Sequence, residues 1–295
     1  MNTGYVALIG RPNAGKSTLL NHLIGQKISI TSRKPQTTRH RIHGIKTADW
    51  GQAIYVDTPG LHQAESRAMN RYLNRTADSA LLGVDVIVWV VDSWTWGPDH
   101  DWMLRKLNSV ECPVILAVNK IDTCTDKEAL LPFLDEASKK YSFAEIVPIS
   151  ALKGMNLEQL EAAIARLLPE GDPIYPEDQI TDRSERFFAA EIIREKLIRA
   201  LGQEVPHALT VQIEQYQEEG NLTRIHAVIW VERDGQKAIV IGKNGEMLKK
   251  VGQRARTDLE AFLDGKVYLN LWVKVKRGWS DNEQALQSLG YIDIE

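Results

Sequence analysis

Eight consecutive residues near the start, Gly10, Arg11, Pro12, Asn13, Ala14, Gly15, Lys16 and Ser17, restrict the fold more than any other stretch of this chain. They fit G-x-x-x-x-G-K-S. Residues 5–9 before them read as a short buried strand, and residues 18–24 after them read as a helix closed by Gly25. Strand, glycine loop and helix in that order is the context this pattern needs. Its glycines let backbone N–H groups wrap around a polyphosphate at a helix N-terminus, where the partial charge is positive. Lys16 is placed to reach the terminal phosphates, and Ser17 to offer a hydroxyl to Mg²⁺. The phosphate-contacting stretch is expected to run from Gly10 through Thr18.

The following pattern agrees. Apolar, Val- and Ile-rich runs at residues 6–9, 53–56, 84–91, 114–118 and 146–149 alternate with helical segments up to about residue 168. Near-continuous apolar runs of this kind are parallel strands covered on both faces, and the alternation predicts a doubly wound α/β sheet of six mostly parallel strands. One pair departs from it. Residues 43–48 and 52–56 are separated only by Asp49, Trp50 and Gly51, too short for a crossover helix, so they read as an antiparallel hairpin.

The base is read elsewhere. Asn119-Lys120-Ile121-Asp122 follows the buried run 114–118. A carboxylate at Asp122 can accept from both donors on the Watson–Crick edge of guanine, whereas adenine presents an acceptor at the equivalent ring nitrogen. Asn119 would tie this segment to the phosphate loop, and the stem of Lys120 would cover the base. Ser150 and Ala151, after the next strand, fit the loop whose N–H meets the guanine O6. Asp57, Thr58, Pro59 and Gly60 end the run 53–56. Asp57 is placed to hold Mg²⁺ through water, and Gly60 to donate its N–H to a γ-phosphate. Leu61 stands where a Gln would orient the attacking water, so slow intrinsic hydrolysis is expected and no general base is assigned, His62 included. GTP or GDP with Mg²⁺ is therefore the expected ligand. An ATP-using P-loop enzyme with a C-terminal protein-contact domain is the alternative, and Asp122 argues against it.

Pro169, Pro173 and Pro176 fall in one acidic stretch that cannot be helix interior. The expected organisation is a nucleotide domain over 1–168, a linker over 169–184 and a second domain over 185–295. In the second domain, Gly242-Lys243-Asn244-Gly245 is G-x-x-G with a basic residue between the glycines. KH domains clamp the backbone of about four nucleotides with such a loop. Lys249 and Lys250 follow it, and from Lys237 to Arg256 six cations face a single acid, Glu246. Net charge is only −3 over 295 residues, so this basic face is local. Residues 238–241 read as strand by propensity. Residues 267–275 alternate strictly, which marks a half-buried strand. The tryptophans at 94, 96 and 102 read as packing or surface residues.

In this order, the nucleotide motifs resemble those of the translation-factor class of GTPases, and the segment from Ile28 to His40 is similar to the first switch of the bacterial Era GTPases. The resemblance extends over the whole chain, including residues 272–279 and 289–291. It implies that Thr38, or its neighbour Thr37, ligates Mg²⁺ when the γ-phosphate is present. Lys16, Thr38 and Gly60 would then be the groups that serve hydrolysis. It implies a small α+β type II KH domain in which residues 238–241 are the helix before G-x-x-G. It further implies binding to the 3′ end of 16S rRNA and a role in 30S subunit assembly. A monomer in the cytoplasm, with peripheral contact to the inner membrane, is also implied. The residues themselves add less on location. Cys112 and Cys124 lack metal-ligand spacing and suit a reducing compartment, no secretory signal is expected, and no apolar stretch approaches the length of a membrane span.

Overall fold

A computed structural model describes residues 1–32, 34, 36–60, 67–92, 94–124, 127–202 and 205–291. The elements of the first domain are β1 (Asn2–Ile9), α1 (Lys16–Ile24), β2 (Ile42–Ala48), β3 (Gly51–Asp57), α2 (Ala68–Ser79), β4 (Val86–Val91), α3 (Pro98–Leu107), β5 (Val114–Val118), α4 (Leu131–Lys140), β6 (Glu145–Pro148) and α5 (Leu157–Leu167). The sheet order is β2-β3-β1-β4-β5-β6, and only β2 runs antiparallel to its neighbour. The expected hairpin is that β2–β3 pair. β4 is Val-Ile-Val-Trp-Val-Val with all six residues buried, because apolar layers cover both faces. Leu19, Leu20, Leu160 and Ile164 from α1 and α5 cover one face. Met103, Leu107, Phe133 and Ala137 from α3 and α4 cover the other. Trp94, Trp96 and Trp102 pack against the second layer, in the packing role expected of them.

The strands place the motifs together. The phosphate loop follows β1, Asp57 ends β3, Asp92 follows β4, Asn119 follows β5, and Ser150 lies two residues past β6. The carboxyl ends of parallel strands share one edge of an α/β sheet, which is where such folds bind ligands.

Residues 169–184 contain none of the helices or strands, and they are strapped to the first domain. Thr3 N–H donates to Pro169 O at 2.8 Å and Ile45 N–H to Ile180 O at 2.9 Å. The Gln52 side chain accepts from Ile174 N–H and Tyr175 N–H at 2.8 and 2.9 Å and donates to Tyr175 O.

The second domain contains α6 (Glu185–Ala200), β7 (Leu209–Glu219), β8 (Leu222–Val231), α7 (Asp234–Ile241), α8 (Glu246–Phe262), β9 (Lys266–Val275) and α9 (Glu283–Ser288). Its sheet order is β7-β8-β9, with β8 antiparallel to β7 and parallel to β9. The α7–α8 crossover makes the parallel pairing, which is the type II KH arrangement. One core, including Ile193, Leu197, Ile225, Ile229, Val251, Ala255 and Leu259, joins α6 and α8 to the sheet. Residues 238–241 are helical despite their β-branched side chains. Gln236 Oε1 accepts from Glu232 N–H and Arg233 N–H at the helix start, and Val240 is fully buried. Burial outweighs a helix-propensity deficit of a few tenths of a kcal/mol per residue. The C-terminal Trp279, Leu286, Leu289 and Tyr291 cross back onto Met69, Tyr72 and Leu73 of α2.

Candidate functional site

The phosphate loop is held by contacts that require its sequence. Gly10 has φ +146°, and a Cβ there would sit 2.3 Å from Val90 O. Gly15 has φ +102°, and a Cβ would sit 2.2 Å from Asn119 Nδ2. The second contact joins two motifs. Asn119 Nδ2 donates to Ala14 O at 2.8 Å, while its Oδ1 accepts from Lys120 N–H and Ala151 N–H at 2.8 and 2.9 Å. One side chain, 2% exposed, therefore fixes the phosphate loop, the base-reading loop and the Ser150-Ala151 loop to one another. Ser150 Oγ donates to Asp122 Oδ1 at 2.5 Å and orients that carboxylate. The Lys120 ammonium pairs with Asp92 at 2.5 Å, which lays its stem along the base side of the cavity.

A cavity of about 500 Å³ opens there, lined by Pro12, Asn13, Gly15, Lys16, Ser17, Thr18, Thr38, Gly60, Asn119, Lys120, Asp122 and Ala151. Other expected site residues stand behind the lining. Gly10 and Arg11 lend their carbonyls to Lys16 Nζ, each at 3.0 Å. The Arg11 side chain points outward to Asp99 at 3.0 Å. Ala14 is fully buried, and Thr58 spends its hydroxyl on Leu8 O at 3.0 Å. Arg11, Ala14 and Thr58 thus shape the loop, with side chains turned away from the cavity. Pro59 precedes Gly60, whose Cβ position lies 2.6 Å from Pro12 N. Leu61 and His62 lie outside the described residues.

At the Lys16 end, two hydroxyls meet one carboxylate and a third joins one of them. Ser17 Oγ and Ser29 Oγ each donate to Asp57 Oδ2 at 2.8 Å, and Thr38 Oγ1 lies 2.8 Å from Ser17 Oγ. Asp57 Oδ1 is buried and, among the described residues, has no side-chain hydrogen-bond partner. Burial pushes the Asp57 carboxyl up, and the Lys16 ammonium and the serine hydroxyls oppose that shift. Burial also brings Lys16 down to about 8, against the pull of Asp57 and Asp92. Hydroxyls plus a buried carboxylate oxygen form a hard-oxygen set that suits Mg²⁺.

Ser29 falls in the segment similar to the first switch, but nothing in the sequence assigns it a contact. Asn21 of α1 positions it: Oδ1 accepts from Ile28 N–H and Ser29 N–H, and Nδ2 donates to Ser29 O. Ile30, Thr31, Ser32, Lys34 and Gln36 also line the cavity. They lie in the segment similar to the first switch, from which the sequence singles out only Thr37 and Thr38.

The G-x-x-G loop is built for close approach. Gly242, Asn244 and Gly245 have φ +74°, +52° and +79°, and Gly245 is the N-cap of α8. Lys243, Lys249 and Lys250 are exposed. Among the described residues, none of them, nor Arg254 or Arg256, enters an ion pair. A basic face without acidic partners is poised for phosphates.

Two family models match this chain: "50S ribosome-binding GTPase" over residues 5–120 and "KH domain" over residues 204–280. GTPase Era of Marinobacter nauticus is 59% identical over 291 residues, which span 99% of this chain and 95% of that protein. GTPase Era of Ectopseudomonas mendocina is 59% identical over 290 residues, 98% of this chain and 97% of that protein. A crystal structure of an Aquifex aeolicus Era variant bound to GDP·AlF4⁻ superposes with TM-score 0.95 at 41% identity, covering 99% of both chains. A crystal structure of Era with MgGDPNP and nucleotides 1506–1542 of 16S ribosomal RNA superposes at 0.96, with the same identity and coverage.

Proposed function

This chain belongs to the Era family of GTPases, and on that premise we propose that it is a GTP-hydrolysing switch that captures the 3′ end of 16S rRNA with its KH domain during 30S subunit assembly. The carrying observation is Asn119, which joins the phosphate loop to the guanine-reading and Ser150-Ala151 loops. Backbone N–H groups of Gly10 through Thr18 hold the phosphates. Lys16 turns from its two loop carbonyls to the β and γ oxygens. Ser17 and Thr38 would hold Mg²⁺ through their hydroxyls, with Asp57 beside them as the hard-oxygen carboxylate. The metal neutralises charge on the phosphates when bound. Gly60 donates its N–H to the γ-phosphate, Asp122 reads guanine, and Ala151 N–H meets O6. Leu61 offers no polar group to orient water, so the intrinsic rate is slow. Gly242 through Gly245, with Lys249 and Lys250, approach the RNA backbone. The protein works as a cytoplasmic monomer with peripheral inner-membrane contact. Among the described residues no helix is long and apolar enough to cross a membrane. The three-part division at 168 and 184 completes the reading.

The test is GTP turnover with and without a 3′-terminal 16S rRNA fragment. Turnover should rise when the fragment is present. A fragment that neither binds nor changes turnover removes the RNA half of the proposal. Equal competition by ATP and GTP for a labelled guanine nucleotide removes the other half.

Lys16 gives a pH signature. Its ammonium sits near 8 in the free protein because burial disfavours the charge. Bound phosphates favour the charge and raise that value, so above pH 8 binding must take up a proton. Affinity for GDP should therefore hold between pH 6.5 and 7.5 and fall between pH 8 and 9, with a limiting slope of about tenfold per pH unit. Calorimetry at pH 8.5 in two buffers of different ionisation enthalpy should register the uptake. Buffer-independent heats at pH 8.5 would contradict this role.

A further inference from the structure

We infer that Arg194, on the first helix of the KH domain, is a positioning residue for the Thr38 hydroxyl. This rests on the reading of Thr38 as a Mg²⁺ ligand. Arg194 is 1% exposed and forms a forked pair with Glu191, at 2.8 and 2.6 Å. From that pair the guanidinium also donates to Thr37 O, in the other domain. The Thr37 carbonyl, the Thr38 nitrogen and the Thr38 Cα share one rigid peptide plane. Fixing the carbonyl therefore fixes the plane from which the Thr38 side chain reaches Ser17.

The rest of the loop is moulded on the same helix. Glu195, fully buried, accepts from Thr31 N–H at 3.1 Å and from Lys27 Nζ at 2.6 Å. Arg199 donates to Thr31 O at 2.9 Å. Lys34 Nζ caps the end of α6 at Ile198 O, Leu201 O and Gly202 O. Burying Glu191, Arg194 and Glu195 costs desolvation that an apolar interface would avoid. What the charged version supplies is a set of directed hydrogen bonds to the backbone of one loop. α6 is thus a template for the first switch, and the arm that grips next to Thr38 is Arg194.

Two variants of the full chain test it. Arg194→Lys keeps Glu191 paired but lacks the fork that grips both partners. Glu191→Gln with Arg194→Gln removes both charges and leaves no unpaired ion. Affinities for labelled GDP and for a labelled non-hydrolysable GTP analogue are measured across a Mg²⁺ series, with Thr38→Ala in parallel. Expected is unchanged GDP affinity in the Arg194 and Glu191 variants, which also reports folding. The Mg²⁺ concentration needed for tight analogue binding should rise roughly tenfold, the scale of one lost hydrogen bond to a charged group. Combining Arg194→Lys with Thr38→Ala should add little to Thr38→Ala alone. If the double-glutamine variant loses GDP binding, Arg194→Lys decides. Wild-type Mg²⁺ dependence in Arg194→Lys beside a shifted Thr38→Ala overturns the inference and leaves the site reading intact. No shift in Thr38→Ala overturns the site reading, and this inference with it.

Discussion

The Asp122→Asn variant is expected to lose GTP and accept xanthosine triphosphate in its place. Guanine presents two donors, N1–H and the exocyclic amine, and the Asp122 carboxylate can accept both. An amide in that position presents one acceptor and one donor. Xanthine carries a carbonyl where guanine has its amine, so it matches the amide edge for edge. Hydrogen bonds to a charged group are worth about 1.5–3 kcal/mol each and neutral ones about 0.5–1.5, so losing the bond to the exocyclic amine and the charge on the other weakens GTP binding by roughly 10² to 10³. The loop should survive the change. Ser150 Oγ can still donate to the amide oxygen as it does to Asp122 Oδ1, and Asn119 is untouched. Competition of unlabelled GTP and xanthosine triphosphate against a labelled guanine nucleotide reads the outcome. A variant that still prefers GTP would show that Asp122 does not read the base.

The Asn119–Asp122 motif was legible in the sequence because the chemistry of reading guanine admits few residue types. The same holds for the phosphate loop, where Gly10 and Gly15 have no room for a Cβ. Groups held only by tertiary contacts were not legible. Ser29 reaches Asp57 because Asn21 bends the chain back, and Asp92 meets Lys120 because β4 and β5 are neighbours. Arg194 lies 156 positions after Thr38, in a helix whose apolar spacing predicts packing and nothing more. Element limits failed for a related reason. β1 starts at Asn2, before the apolar run, because residues 2–4 pair with residues 51–53 of β3. The strict alternation of β9 gave its half-buried face, but its parallel pairing with β8 depends on the crossover. Residues 238–241 show the opposite case, in which the resemblance to a KH domain outweighed strand propensity and the helix is present.

The two glycines of the RNA loop should respond differently to the same substitution, and the difference makes one of them decisive. A Cβ on Gly242 would sit 2.6 Å from Met247 Cβ, so Gly242→Asp must displace the start of α8. Its loss of RNA binding would not distinguish a broken loop from a lost contact. Nothing lies within 4 Å of a Cβ on Gly245, and its φ of +79° is one that Asp tolerates better than most residues. Gly245 is also the N-cap of α8, where an acidic side chain suits the helix dipole. Gly245→Asp should therefore melt within a few degrees of the parent. RNA is another matter, because the new carboxylate occupies the approach of a phosphate to the first-turn N–H groups of α8. Affinity for a pyrimidine-rich single strand, measured by fluorescence anisotropy, should fall roughly 10- to 100-fold, and the dependence on salt should flatten by about one phosphate contact. GTP turnover without RNA should not change, since the loop shares no residue with the nucleotide cavity. A Gly245→Asp protein that is stable and still binds RNA as the parent does would take the G-x-x-G loop out of the interface. One that is stable and blind to RNA would assign the loop to recognition, with stability held constant.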